Sequence, residues 1–220
     1  MKGRFITIEG VDGSGKSTQI KLLHQYLIEK GIDVVLSHEP GGTRIGEQIR
    51  NILLNANNLE MIPLTEVFLY EAARAQHVGE VILPALNAGK TVLCSRFADS
   101  TLAYQGHGGG MDMAVLAMLN EIASCNLKPN LTLVFDFDPG SGLNRVTTRE
   151  DQKGAQRDRM EQKNLDFHRR VRNGFLALAK IDPDRIHIID ASGTIEEVFA
   201  KTIVIVDQYL QQAFERRSEQ

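Results

Sequence analysis

Gly10-Val11-Asp12-Gly13-Ser14-Gly15-Lys16-Ser17 satisfies G-x-x-x-x-G-K-[ST] in full, directly after the apolar run Phe5–Ile8. Few folds accommodate such a loop. Its glycines let successive backbone N–H groups converge on phosphate oxygens with no Cβ in the way. It has to be entered from a strand and left into a helix whose positive N-terminal end faces the same anion. Lys16 is spaced to reach the β- and γ-phosphates and Ser17 to offer its hydroxyl to Mg²⁺. The expected phosphate-binding set is therefore Gly10, Val11, Asp12, Gly13, Ser14, Gly15, Lys16, Ser17 and Thr18. Asp12 is the anomaly, because a carboxylate beside a polyanion needs a separate task.

The rest of the chain agrees with a strand–loop–helix start. Continuous Val/Ile/Phe-rich runs at Phe5–Ile8, Val34–Leu36, Thr91–Cys94, Leu131–Phe137 and Ile186–Ile189 read as strands covered on both faces. Helical spacing predicts helices from Ser17 to Gly31, then over Ile45–Asn55, Leu64–Asn87, Met113–Ser124, Gln162–Lys180 and Ile195–Arg216. This alternation predicts an α/β fold, a parallel sheet flanked by helices, in one domain spanning 1–220. The glycine cluster Gly106–Gly110 and the polar stretch Thr147–Arg159 are expected as surface loops, and the tail after Phe214 as frayed. A net charge of −3 gives no general attraction to nucleic acid or an anionic membrane. No run approaches the ~18 apolar residues of a membrane span, and the start is too short for a signal peptide. Cys94 and Cys125 are read as reduced core thiols of a cytoplasmic protein.

Among P-loop classes, a GTPase needs an [NT]KxD motif after a DxxG. Here Lys180-Ile181-Asp182 lacks the Asn, and Asp190-Ala191-Ser192-Gly193 comes after it rather than before. A small kinase needs an acceptor pocket and arginines that neutralise a transferring phosphoryl group. The arginines at 44, 74, 96, 145, 149, 157 and 159 fall in or near predicted loops and strand ends. GVDGSGKST at 10–18, EPGGT at 39–43, YEAAR at 70–74, RFADSTLAYQG at 96–106, DRME at 158–161 and IDAS at 189–192 then stand in an order that resembles bacterial thymidylate kinases from end to end. The resemblance implies a P-loop NTPase-type three-layer fold with a five-stranded parallel sheet and a lid at about 145–161. It also implies a homodimer that transfers the γ-phosphate of ATP to dTMP, with Mg²⁺.

The same resemblance assigns roles. Asp12 would accept from the sugar 3′-hydroxyl, unless it serves only as an Asx turn. Tyr70 would stack on thymine, with core packing as its rival role, and Arg74 would read a base carbonyl. Arg96 would hold the dTMP phosphate. Glu39, Pro40, Ser100, Thr101, Tyr104 and Gln105 would complete the acceptor pocket. Arg149 would stack on adenine, which Ala191 and Ser192 would line through backbone groups. Gly13 stands where one branch of the family has an arginine, so Arg159, or else Arg157, is expected to meet the transferring charge beside Lys16 and Arg96. Ser95 replaces the acid usual before Arg96, which leaves Glu9 and Glu39 as candidates for the outer metal sphere beside Ser17. His38 replaces an arginine, and EDQKGAQ at 150–156 lengthens the lid. Two alternatives stay open: a kinase for another nucleoside monophosphate, or a nucleotide-binding module with impaired catalysis.

Overall fold

A computed structural model describes residues 3–154 and 156–218, and their side chains except those of Arg149, Lys153 and residues 213 onward. Five strands, β1 (Phe5–Gly10), β2 (Val34–His38), β3 (Thr91–Ser95), β4 (Leu131–Asp136) and β5 (Ile186–Asp190), form one parallel sheet in the order β2-β3-β1-β4-β5. From β1 the chain winds first to one side and then, after β3, to the other. A crevice therefore opens at the carboxyl end of β1, where the sequence places its glycine loop.

Two apolar cores sandwich the sheet. One gathers Ile6 and Ile8 with Leu23 and Leu27 of helix α1 (Lys16–Glu29), Phe175 of α8 (Leu165–Ile181) and Val206 of α9 (Ile195–Ser218). The other gathers Phe5, Val92 and Cys94 with Val78, Ile82 and Phe97, and the Phe5 and Phe97 rings meet edge-on at 4.8 Å. Each of the five predicted strands lies within an observed one, except that Phe137 falls just beyond β4. Among the described residues no helix is long and apolar enough to cross a membrane.

The helices depart from expectation at three places. The stretch 64–87 is α3 (Pro63–His77), a π-helical turn Val78–Ile82 and then α4 (Leu83–Asn87). Pro84 has no N–H to donate into an uninterrupted α-helical ladder, and the wider turn falls just before it. The glycine cluster is a surface loop only at Gly109 and Gly110. Following α5 (Ala98–Thr101), a second π-helical segment, Leu102–Gly108, buries Gly106 and Gly108. A Cβ on Gly108 would stand 2.7 Å from Val171 Cγ2, so its glycine admits α8 at close range. The polar stretch is mostly helical: α7 runs Pro139–Lys153, capped by the Asp138 carboxylate on the Ser141 N–H and closed by a left-handed Gly154. Among the described residues of that prediction, Gly154 and residues 156–159 lie outside the helix. Cys94 is buried as expected, whereas Cys125 is exposed, on a left-handed turn (φ 53°) just past α6 (Met113–Ala123).

Backbone packs on backbone where α7 meets the glycine loop. Gly13 (φ 75°) has no room for a Cβ against Gly142, and a Cβ on Gly142 would strike the Asp12 carbonyl. Arg145 of α7 also donates to the Gly13 carbonyl at 3.3 Å. Gly142→Ala is expected to displace the loop at a cost of roughly 1–3 kcal/mol, as other overpacked sites do. Steady-state kinetics should record a raised KM for ATP, with the acceptor KM changing less.

Candidate active site

Three left-handed glycines shape the loop: Gly10 (φ 134°), Gly13 (φ 75°) and Gly15 (φ 90°), the last being the N-cap of α1. Lys16 is buried and curls back, donating to the Val11 carbonyl at 2.5 Å and lying 3.4 Å from Ser14 Oγ. Asp12 through Lys21 line a cleft of about 1220 Å³, with Ser17 and Thr18 exposed to it, while Gly10 and Val11 stand behind the loop.

Arg96 ends β3 in a left-handed conformation (φ 68°), a strained state for a residue with a Cβ and one that clusters at functional sites. From there its guanidinium donates to Asp12 Oδ1 at 2.5 Å, the Tyr104 hydroxyl at 2.9 Å, the Gly10 carbonyl at 3.1 Å and Ser100 Oγ at 3.2 Å. Tyr104 in turn donates to Asp12 Oδ2 at 2.9 Å. Burial opposes the charge on Asp12, but Arg96 and Lys16 outweigh it and hold the carboxyl below the usual range. Asp12 is thus no Asx turn. It faces Arg96 and Tyr104, two of the side chains named for the acceptor.

On the acceptor side, α3 brings Tyr70 and Arg74 to the cleft one helical turn apart. Arg74 is buried and tightly held: Nε donates to Glu39 Oε2 at 2.9 Å, and Nη1 bonds Glu71, Asn120 and Thr101 at 2.6, 2.6 and 3.1 Å. Nη2 has no protein partner among the described residues and is not sealed from the cleft. Glu39 Oε1 accepts from His77 Nδ1 at 3.0 Å, and His77 Nε2 meets Ser37 Oγ at 2.6 Å. Both Glu39 oxygens are therefore engaged, which corrects the outer-sphere expectation: this carboxylate holds Arg74. Pro40, Ser100, Thr101, Tyr104 and Gln105 all line the same cleft, as expected.

At the opposite end, Ala191 lines the cleft together with Gly193, Thr194, Ile195 and Val198. Ser192 does not; its hydroxyl turns onto Asp190 at 2.6 Å. The expectation for the lid fails in a specific way. Arg159 is buried, with Nη1 on Glu66 Oε2 at 2.5 Å and Nε on the Leu53 carbonyl at 2.9 Å, and neither it nor Arg157 lines the cleft. The arginine that α7 brings beside the loop is Arg145, whose guanidinium also lies 4.0 Å over the Phe137 ring. Arg149 follows one turn later in α7, and its side chain lies outside the described residues. The family resemblance favoured Arg159, through DRME and the absence of an arginine at Gly13; nothing local reveals its long-range partner Glu66. Ser95 and His38 line the cleft, and His38 Nε2 is 2.9 Å from Glu47.

A phosphate loop shared by two pockets, one toward Ala191 and one toward Tyr70 and Arg74, is the layout of a P-loop nucleotide kinase, where two ligands meet at one anion site. Comparison with known proteins narrows the class. Residues 8–210 match the family model for thymidylate kinase. The chain is 54% identical over 192 residues to the thymidylate kinase of Pelotomaculum thermopropionicum, covering 87% of each chain. It is 50% identical over 208 residues to that of a Geobacillus species, covering 94% of this chain and 97% of the relative. A crystal structure of thymidylate kinase from Ehrlichia chaffeensis superposes with a TM-score of 0.73 at 36% identity, over 94% of this chain and 99% of that one. The chain belongs to the thymidylate kinase family.

Glu9, fully buried under the loop, accepts from the Phe97 N–H at 2.7 Å and from Ser100 Oγ at 2.5 Å. Burial pushes its carboxyl up to about 7, with Asp99 adding to the rise and Arg96 opposing it. Between pH 4.5 and 7 the folded chain then holds a proton that the unfolded chain has released. Stability from Glu9 is full below pH 4.5 and is lost as pH rises through 7, by about 3 kcal/mol in all. Glu9→Gln keeps an acceptor for Phe97 and removes this titration. Urea unfolding should find the variant gaining about 2–3 kcal/mol on the wild type between pH 5 and pH 8.

Proposed function

We propose that this chain transfers the γ-phosphate of ATP to dTMP, giving dTDP and ADP. The observation that carries the reading is the position of Arg96, which joins the phosphate loop, through Gly10 and Asp12, to the acceptor side of the cleft, through Ser100 and Tyr104. The loop N–H groups and Lys16 cradle the ATP phosphates, and Lys16 leaves the Val11 carbonyl to do so. Arg96 takes the acceptor phosphate, and Asp12 receives a sugar hydroxyl. Tyr104, packed among Phe167 and Phe175, walls the sugar. Tyr70 stacks on the base, a contact worth about 0.5–1.5 kcal/mol beyond burial. No side chain need act as a nucleophile, because positioning and charge neutralisation carry most of phosphoryl transfer.

Ser17 fits Mg²⁺, since its hydroxyl is exposed in the first turn of α1 beside the loop, and the ion in turn neutralises charge on the ATP oxygens. The described residues hold no cluster of three His, Cys, Asp or Glu that would bind a metal without the nucleotide. The lid is α7 with the turn through Glu161, and the charge on the transferring group falls to Arg145 rather than to Arg159, while Arg149 stacks on adenine. The enzyme works in the cytoplasm as a homodimer. Exposed Leu64 and Phe68 on α3, with Val115, Met118 and Ile122 on α6, supply an apolar face for a second copy.

A coupled ADP-release assay with dTMP, dUMP and dCMP tests the acceptor. Preference for dTMP over dUMP should be modest, because one methyl is worth about 1–3 kcal/mol, and turnover of dCMP equal to dTMP would refute the assignment. Retention of bound ATP with no turnover of any acceptor would favour the impaired-module reading. Arg145→Ala should lower kcat by about 1000-fold or more, the range an arginine at a transferring phosphoryl group supplies, whereas Arg149→Ala should chiefly raise the KM for ATP. Arg159→Ala should appear chiefly in the acceptor KM. A kcat loss confined to Arg159→Ala would return the catalytic role to that residue.

A further inference from the structure

Gln105 faces the acceptor pocket from a buried position, and its amide has two faces. Nε2 donates to Glu66 Oε1 at 2.8 Å, and the other Glu66 oxygen takes Arg159 at 2.5 Å. Arg159 is itself fixed to the end of α2 (Arg44–Leu54): its N–H reaches the Leu54 carbonyl at 3.2 Å and its Nε the Leu53 carbonyl at 2.9 Å. All three residues are buried. A carboxylate has no proton to give, so the Gln105 amide must present its nitrogen to Glu66 and its oxygen to the cleft. That oxygen has no protein partner among the described residues and is not sealed from solvent. Arg74 Nη2 is likewise free and open to the cleft.

The pocket therefore offers a base edge one acceptor and one donor. Thymine carries the complement, an N3–H donor beside an O4 acceptor. Cytosine carries the reverse, an N3 acceptor beside an amino donor. Glutamine alone does not encode this choice, because a rotated amide would serve cytosine N3 equally well. We propose that Glu66, anchored by Arg159, is a positioning residue that locks the Gln105 amide and thereby sets base selectivity. This inference rests on dTMP being the acceptor.

Glu66→Gln tests the lock without removing a partner from Arg159. The Arg159 guanidinium claims the new amide oxygen, which leaves the new amide nitrogen toward Gln105. Gln105 must then turn its oxygen inward and its nitrogen to the cleft. The ratio of kcat/KM for dTMP over dCMP should fall by about tenfold or more, through the KM values, with kcat for dTMP within about threefold of wild type. Gln105→Leu should lower the same ratio, and adding Glu66→Gln to it should lower the ratio no further. Equal losses for both nucleotides, or additive effects in the double variant, would overturn the proposal. If Glu66→Gln does not fold, Glu66→Asp decides: it keeps the carboxylate, so the ratio should hold while KM rises, and a collapsed ratio would count against the lock. Wild-type protein that leaves dTMP unphosphorylated would instead defeat the functional reading on which the inference rests.

Discussion

The ion pair between Arg96 and Asp12 is the contact on which the cleft depends. Arg96 leaves β3 in a left-handed turn that costs on the order of 1–3 kcal/mol, and it brings a charge into a site largely screened from water. Four acceptors from three segments compensate: the Gly10 carbonyl and Asp12 of the loop, Ser100 of α5 and the Tyr104 hydroxyl of the π-helical segment. The two halves of the site are therefore positioned relative to each other by one side chain. Replacing it would leave Asp12 without its principal counter-charge, a change usually more damaging than the pair is stabilising.

The sequence made the sheet legible because each strand is a short, continuous apolar run, and the loop legible because its chemistry is local. Asp12, Tyr70, Arg74, Arg96, Tyr104 and Gln105 all face one cleft, as their motifs imply. The failures share a cause. Gly106 and Gly108 read as a loop because glycine signals both turns and close packing, and only the approach of α8 distinguishes the two. Thr147 to Lys153 read as a loop because a helix with little more than Val146 buried has almost no apolar periodicity. Arg159 read as exposed because its partner Glu66 lies in a different helix, far away in sequence. Long-range pairing of charged groups leaves no local trace.

The substitutions at 95 and 38 look different in this setting. Ser95 leaves the strand end uncharged, and the nearest carboxylate beneath the loop, Glu9, has its charge suppressed by burial. Neither position then adds a full negative charge to that of Asp12, which Arg96 and Lys16 already offset. His38 is occupied by Glu47 at the mouth, so its replacement of an arginine removes a cation from the rim and leaves the buried Arg74 and Arg96 in place.

Arg159 has a mechanical meaning as well as a chemical one. Its backbone and side chain are fastened to the end of α2, whereas Gly154 closes α7 only five residues earlier. A fully extended chain spans at most about 3.6 Å per residue, so five steps from Gly154 to Arg159 reach no further than about 18 Å. The carboxyl end of α7 is therefore on a short tether whose anchor is the same guanidinium that holds Glu66. Only a swing of α7 that carried Gly154 further than this from Arg159 would pull against the acceptor wall, and it would do so through this one anchor.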